Sequence, residues 1–125
     1  MSGLEQFKKQ QYLNLETFRR SGEGVKTPVW FAQDGESLYV VTMENSGKVK
    51  RIRRNGRVNV AACKMDGRLN GSWVPAQARP VDDPQLRLLA NRLLNKKYGL
   101  IKKFLDLQRG RNAPPEAILE IRLAE

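Results

Sequence analysis

Histidine is absent from this chain of 125 residues. That excludes imidazole acid–base chemistry and every histidine-containing metal site. Cysteine occurs once, at Cys63, so an intrachain disulfide and a cysteine-rich zinc site are excluded too. The apolar run "VNVAACKM" around Cys63 reads as a strand with a buried, inert thiol. No stretch approaches the roughly 18 consecutive apolar residues of a membrane-spanning helix. The opening "MSGLEQFKKQQ" lacks the apolar centre of a signal peptide, so the expected setting is soluble and cytoplasmic, without a membrane partner. Acidic residues are scarce, 13 against 23 Lys and Arg, for a formal net charge of +10. Such a balance favours anionic partners, whether nucleic acid, acidic lipid or a phosphorylated ligand, and does not bear on fold. Paired carboxylates offer little, since Asp82 and Asp83 are better explained as a helix cap. We therefore assign no catalytic side chain and no metal site. If the chain is an enzyme, a cofactor must carry the chemistry.

The length fits a single domain spanning 1–125. Leu4 and Phe7 suggest a short helix at the start. Residues 12–20, "YLNLETFRR", alternate and read as a strand, and "SGEG" is a turn. Residues 25–33, "VKTPVWFAQ", read as a second strand, on which Pro28 implies an edge or a bulge because it cannot donate a ladder hydrogen bond. Asp34-Gly35 is a hairpin turn, and "SLYVVTM" follows as a third strand. A fourth covers residues 57–65, and an extended stretch covers 69–81, with bends at Gly71 and Pro75. The period then changes. Asp83 is a helix cap, Pro84 suits a first helical turn, and Leu86, Leu89, Ala90, Leu93 and Leu94 form an apolar stripe. Gly99 is a stop, "LIKKFLDL" a second short helix, "RGRNAPP" a loop and "AILEIRLAE" a closing strand. Six strands in hairpins with peripheral helices indicate a small antiparallel barrel, mainly β, with a helical insert at about residues 84–107.

Three stretches could bind a ligand. "VVTMENSGKVKRIRRNGR" ends a strand at Thr42, turns at Ser46 and Gly47, and continues with six cations and no acid. It is not a P-loop, because Thr42 stands where the first glycine is required and Val49 follows Lys48 in place of Ser or Thr. A turn opening a helix still presents backbone N–H groups and a positive dipole to an anion. Lys48 and Arg51 share one helical face, while Val49 and Ile52 share another that would dock on the barrel. In "TPVWF", the backbone beside Pro28 is available to a flat heterocycle. Trp73 could floor such a ring or fill a core.

Together these residues resemble the split-barrel superfamily of pyridoxamine 5'-phosphate oxidase-like flavin and deazaflavin oxidoreductases, and most resemble its small deazaflavin-dependent branch. The resemblance covers roughly residues 13–81. It rests on Thr-Pro-Val-Trp, a hairpin, then Thr-x3-Ser-Gly-Lys-Val-x3-Arg, as one combination. It implies a six-stranded antiparallel split β-barrel of the FMN-binding type that forms homodimers, with cofactors in grooves between protomers. A half-open barrel would leave edges for the partner to cover. By position, Lys26 or Thr27 would approach the cofactor phosphate, and Pro28 and Val29 would pass the ring by backbone. Thr42 and Ser46 would supply hydroxyls, and Lys48, Val49, Lys50 and Arg51 complete the set, with Lys48 the firmest. The implied cofactor is a deazaflavin coenzyme (coenzyme F-420) or FMN, and the implied activity is hydride transfer with an unidentified small molecule. An acidic tail on the deazaflavin coenzyme would suit Arg53, Arg54 and Arg57. The ending "LEIRLAE" lacks the Arg-and-Pro motif that grips substrate in the vitamin B6 enzymes, which argues against that activity. Binding without turnover is the second reading. Nucleic-acid binding ranks third, for want of a recognised motif.

Overall fold

A computed structural model describes residues 3–109 and 115–124, with the side chains of 100–109 excepted. A 3-10 turn, Gly3–Phe7, precedes strands β1 (Tyr12–Phe18), β2 (Gly24–Asp34) and β3 (Ser37–Met43). Helix α1 (Gly47–Arg54), strands β4 (Arg57–Cys63) and β5 (Val74–Pro80), helix α2 (Pro84–Arg109) and strand β6 (Glu116–Leu123) follow. All pairings are antiparallel, and the strands close a barrel in the order β1-β2-β3-β6-β5-β4. The expected mainly-β six-stranded barrel is therefore present.

Strand ends differ from expectation where they matter. β1 stops at Phe18, which leaves Arg19 and Arg20 in the connection to β2. β4 stops at Cys63, and the long extended stretch resolves into an isolated Cys63–Leu69 bridge followed by β5. α2 extends to Arg109 and is broken at Gly99, whose φ of 52° ends the regular turns. Glycine reaches that conformation without the steric cost of a side chain. Asp83 caps the helix, its Oδ1 accepting from the Gln85 N–H at 3.0 Å. The loop expected at "RGRNAPP" lies, over residues 110–114, outside the described residues.

The ring is closed, so the continuous open edges of a half-open barrel do not occur. The openness is local. β2 pairs with β1 over Gly24–Trp30, but with β3 only from Phe31 to Asp34. Strands β2 and β3 thus part below the Phe31–Val40 rung. Phe31 directs its backbone N–H toward the β1 side. By alternation, the backbone groups of Trp30, Pro28 and Lys26 face the unpaired gap. Proline lacks a donor where β3 offers no acceptor, which accounts for its place in a long strand.

Leu13, Leu15, Phe31, Leu38, Val40, Val60, Leu119 and Ile121 fill the interior. α1 closes one end by burying Val49 and Ile52 in this core. Burial of two such side chains contributes about 1.5–3 kcal/mol each. α2 lies on the outer face, where Ala90 packs with Tyr39 and Ile118, and Leu94 and Tyr98 pack with Ala32. Two sheet faces in one strand, one inward and one under α2, explain the continuous apolar run of β3.

Candidate functional site

The gap between β2 and β3 and the start of α1 are adjacent, because only three residues separate Met43 from Gly47. The turn is tied by the Ser46 N–H donating to the Met43 carbonyl at 3.0 Å. Inward-facing positions of β2 carry Thr27 and Val29, and of β3 carry Leu38, Val40 and Thr42. Thr27 and Thr42 are half-buried, on opposite sides of the gap. Pro28 and Lys26 face outward. The glycine turn of the β4–β5 connection approaches Pro28, with a Cβ on Gly67 falling 3.8 Å from the ring. Lys26 is exposed, and its ammonium lies 5.4 Å from the centre of the Trp73 ring.

Ser46 is the N-cap of α1, yet its hydroxyl makes no capping bond. The Oγ atom is buried and has no hydrogen-bond partner. An N-cap serine ordinarily accepts from an N–H of the first turn, so here both the hydroxyl and those N–H groups stay free for a ligand. Gly47 keeps the approach open on one side. A Cβ there would meet Arg51 Nη1 at 2.7 Å, which shows the guanidinium folded back over the helix start. Arg51 is held there by its Nε–H donating to Thr17 Oγ1 at 2.7 Å, at the rim of β1. Lys48 is half-buried, and desolvation, then the charge of Arg51, lowers its pKa. Desolvation likewise lowers that of Arg51, with Arg19 and Arg54 adding repulsion. One guanidinium tethered over the helix start, with the Lys48 ammonium repelled by it, makes a place where an anion is favoured.

Of the residues singled out in the sequence, Thr42, Ser46, Lys48 and Arg51 gather at the gap and helix start. Val49 is fully buried, so only its backbone can face a ligand. Lys50 is exposed on the flank toward the β1–β2 turn. Arg53 points to the opposite flank and pairs with Glu44 at 3.6 Å. It is thus separated from Arg54 and Arg57, with which the sequence had grouped it. The sequence reading missed Arg19, Arg20 and Thr17. The first two had been placed at the end of a strand, and Thr17 carried no signal beyond alternation.

The sequence matches the profile of the pyridoxamine 5'-phosphate oxidase family over residues 4–125. The chain belongs to this family. The match runs beyond the segment that carried the resemblance and takes in α2 and β6. No curated protein matches the chain. Among solved structures, the heme storage protein HutZ from Vibrio cholerae is similar at 13% identity and a TM-score of 0.74, over 97% of this chain and 87% of that one. An FAD-binding protein from Mesorhizobium loti is similar at 17% identity and a TM-score of 0.67, over 100% and 90%. An F420 reductase is similar at 21% identity and a TM-score of 0.61, over 98% and 93%. These likenesses show the shared split-barrel fold. Among the described residues, no group of His, Cys, Asp or Glu could hold a metal ion, and no helix is long and apolar enough to cross a membrane.

Proposed function

We propose that this family member binds a phosphorylated flavin-type cofactor, a deazaflavin coenzyme or FMN, and serves as an oxidoreductase on a small molecule. The observation that carries this is the buried Ser46 hydroxyl without a partner, set at the helix N-terminus over which the Arg51 guanidinium folds, with Lys48 in the same first turn. A phosphate suits that set, since it accepts from a hydroxyl, backbone N–H groups and two cations together. When bound, the flavin-type ring supplies hydride transfer. The chain's own part is to hold and orient. Ser46, Lys48 and Arg51 fix the phosphate end. The unpaired backbone from Lys26 to Trp30 offers polar groups along the gap, where Thr27, Pro28, Val29 and Thr42 would flank the ring. Val49 anchors the helix from below, and Lys50 extends the positive field.

We read the protein as a cytoplasmic homodimer with an unidentified substrate, and not as a vitamin B6 oxidase. Binding without turnover is the second reading. It is favoured by a storage protein among the proteins sharing this fold. Spectral titration of purified protein with FMN and, separately, with the deazaflavin coenzyme tests the first step. A shifted, saturable spectrum with either supports it, and no shift with both overturns it. Bleaching of the bound, reduced ring by a panel of electrophiles then separates turnover from storage.

A further inference from the structure

The junction between α2 and the barrel holds an amine that the proposed function leaves unused. Lys97 is exposed as a residue, yet its nitrogen turns onto the barrel, where its hydrogen bond is part-buried. It donates to the Phe31 carbonyl at 2.8 Å and stands 3.6 Å from the centre of the Phe31 ring. The centre of the Tyr98 ring lies 5.3 Å away. One strand carbonyl and two aromatic rings thus surround the nitrogen. Among the described residues, no carboxylate pairs with it. The titratable group beside it is the Tyr98 phenol, which burial keeps protonated across neutral pH. Tyr12 acts on that phenol, and no charge of β1 or β2 acts on the amine.

An ammonium is a compact, strongly hydrated ion with three donors. Here it exchanges water for one carbonyl and two ring faces, without a counter-ion. The neutral amine fits the same place, because it still donates to Phe31 and its lone pair is freed. Desolvation, by lowering the pKa to about 8, leaves roughly a quarter of Lys97 neutral at pH 7.5, against about a thousandth of an ordinary lysine. Such desolvation is a known way to activate a lysine as a nucleophile.

The surroundings also select the product. A carbamate would exchange an unpaired cation for an unpaired anion. A neutral imine would lose the N–H that Phe31 accepts, and a protonated one would retain the charge. An amide removes the charge and keeps one N–H for the Phe31 carbonyl. We infer that Lys97 is an acyl-acceptor site, taking a small acyl group from an acyl phosphate or a thioester, and that the amide so formed keeps α2 fastened to the barrel. The amine lone pair attacks the acyl carbon, and a C–N bond forms. The donor's C–O or C–S bond breaks, phosphate or thiolate leaves with the electron pair, and the amine proton passes to solvent. The step needs no oxidant and does not depend on the cofactor reading.

The test uses the full chain, with limiting acetyl phosphate or, separately, acetyl coenzyme A at pH 7.5, and residue-resolved mass spectrometry. Lys96 is the internal standard, being adjacent, exposed and without these contacts. A less basic amine is a weaker nucleophile, which offsets part of the gain in neutral form. Lys97 should still acetylate at least about tenfold faster than Lys96 in the folded chain, and within about twofold of it in urea. Its rate should level off above about pH 8, while that of Lys96 keeps rising. Preference with one donor alone assigns the source, and preference with both makes the site one for activated acyl groups at large. Equal or slower reaction of Lys97 in the folded chain overturns the inference. The second measurement installs acetyllysine at position 97 and follows thermal unfolding. The unfolded chain binds the Lys97 proton more tightly than the folded one, so the unmodified protein gains stability as pH rises from about 8 to about 10.5. The acetylated chain should therefore melt higher at pH 7, and the difference should close by pH 10. A lower melting temperature at both pH values would show that the ammonium itself fastens α2, and would overturn the acceptor role.

Discussion

The Tyr98 hydroxyl stands in the rung that Phe31 would otherwise close with β1. The register pairs Tyr12 with Trp30, so Gln11 and Phe31 would be the next partners. Instead the Phe31 N–H donates to the Tyr98 oxygen at 2.9 Å, and the Tyr98 hydroxyl donates to the Gln11 carbonyl at 2.6 Å. A helix side chain has entered a sheet ladder. The Tyr98 ring also stacks on Trp30, with centroids 4.3 Å apart and planes at 8°. Lys97 beside it donates to the Phe31 carbonyl at 2.8 Å, with its nitrogen 3.6 Å from the Phe31 ring centre. Desolvation lowers its pKa to about 8, although the carbonyl and the ring face both favour the charged form. α2 is thereby fastened to the barrel where β2 leaves β1, one residue before the break at Gly99.

Tyr98→Phe keeps the stack and removes the relay. It leaves a buried N–H and a carbonyl without a partner, so it should cost about 1–3 kcal/mol. Burial raises the Tyr98 phenol above its ordinary 10, so the hydroxyl stays a donor across neutral pH. Urea unfolding followed by tryptophan fluorescence checks the cost. An unchanged midpoint would show that the relay contributes nothing.

The fold was legible because its signals are local. Alternation in "YLNLETF", the apolar run inside "SLYVVTM", the Asp34-Gly35 turn and a Pro after Asp83 each mark one element. Lys48 and Arg51 were legible as one face by spacing alone. Tyr98 was not, because its partners, Gln11 and Phe31, lie 87 and 67 residues away. The free Ser46 hydroxyl was hidden for a different reason. An N-cap serine ordinarily accepts a bond from its helix, and only in the folded chain is it evident that Ser46 does not. The division of Arg53 from Arg54 follows from a helix docked by Val49 and Ile52, since fixing those two inward sends neighbouring arginines to opposite flanks.

Glu120 gives the fold a dependence on acid. It is nearly buried on the outer face of β6, accepting from Ser37 Oγ at 2.7 Å and pairing with Arg79 at 2.5 Å. Burial alone would raise its pKa. Hydrogen bonds from Ser37 and Arg79, with the charges of Arg79 and Arg122, outweigh this and hold it below the ordinary 4.5. A carboxyl lowered in the folded state is more acidic there than in the unfolded chain. Its stabilisation is therefore complete above about the ordinary value and is lost as pH falls through the folded value. Glu120→Gln should cost about 1 kcal/mol at pH 7 and flatten the acid limb of the stability curve. Parallel acid limbs for the two proteins would place the acid sensitivity elsewhere.

A homodimer is expected for a changed reason. The closed ring removes most of the edge argument, and the longest stretch paired on one side only, among the described residues, is the Gly24–Trp30 half of β2. A partner covering that half would complete the wall of the gap, in keeping with the dimers that the resemblance implies. Light scattering at micromolar concentration should return twice the 14.3 kDa chain mass. A monomer mass would remove the two-protomer groove and leave the ring end of the site open to solvent.

Lys48→Ala and Ser46→Ala probe the phosphate cradle from two directions. Lys48 is half-buried beside Arg51, so its charge destabilises the empty site. Removing it should leave folding unchanged or slightly improved. The same removal deletes a charge-assisted bond to phosphate worth roughly 1.5–3 kcal/mol, or about ten- to hundredfold in affinity. Ser46→Ala deletes a buried hydroxyl that has no partner in the protein, so it too should not destabilise the fold. A serine bound within its helix would behave differently, because losing a cap costs about 1 kcal/mol. Loss of ligand affinity with retained or raised melting temperature in both variants is the signature of a binding site. Loss of stability in Ser46→Ala would show instead that its hydroxyl caps α1 in solution. Unchanged flavin-type binding in Lys48→Ala would move the phosphate away from this helix.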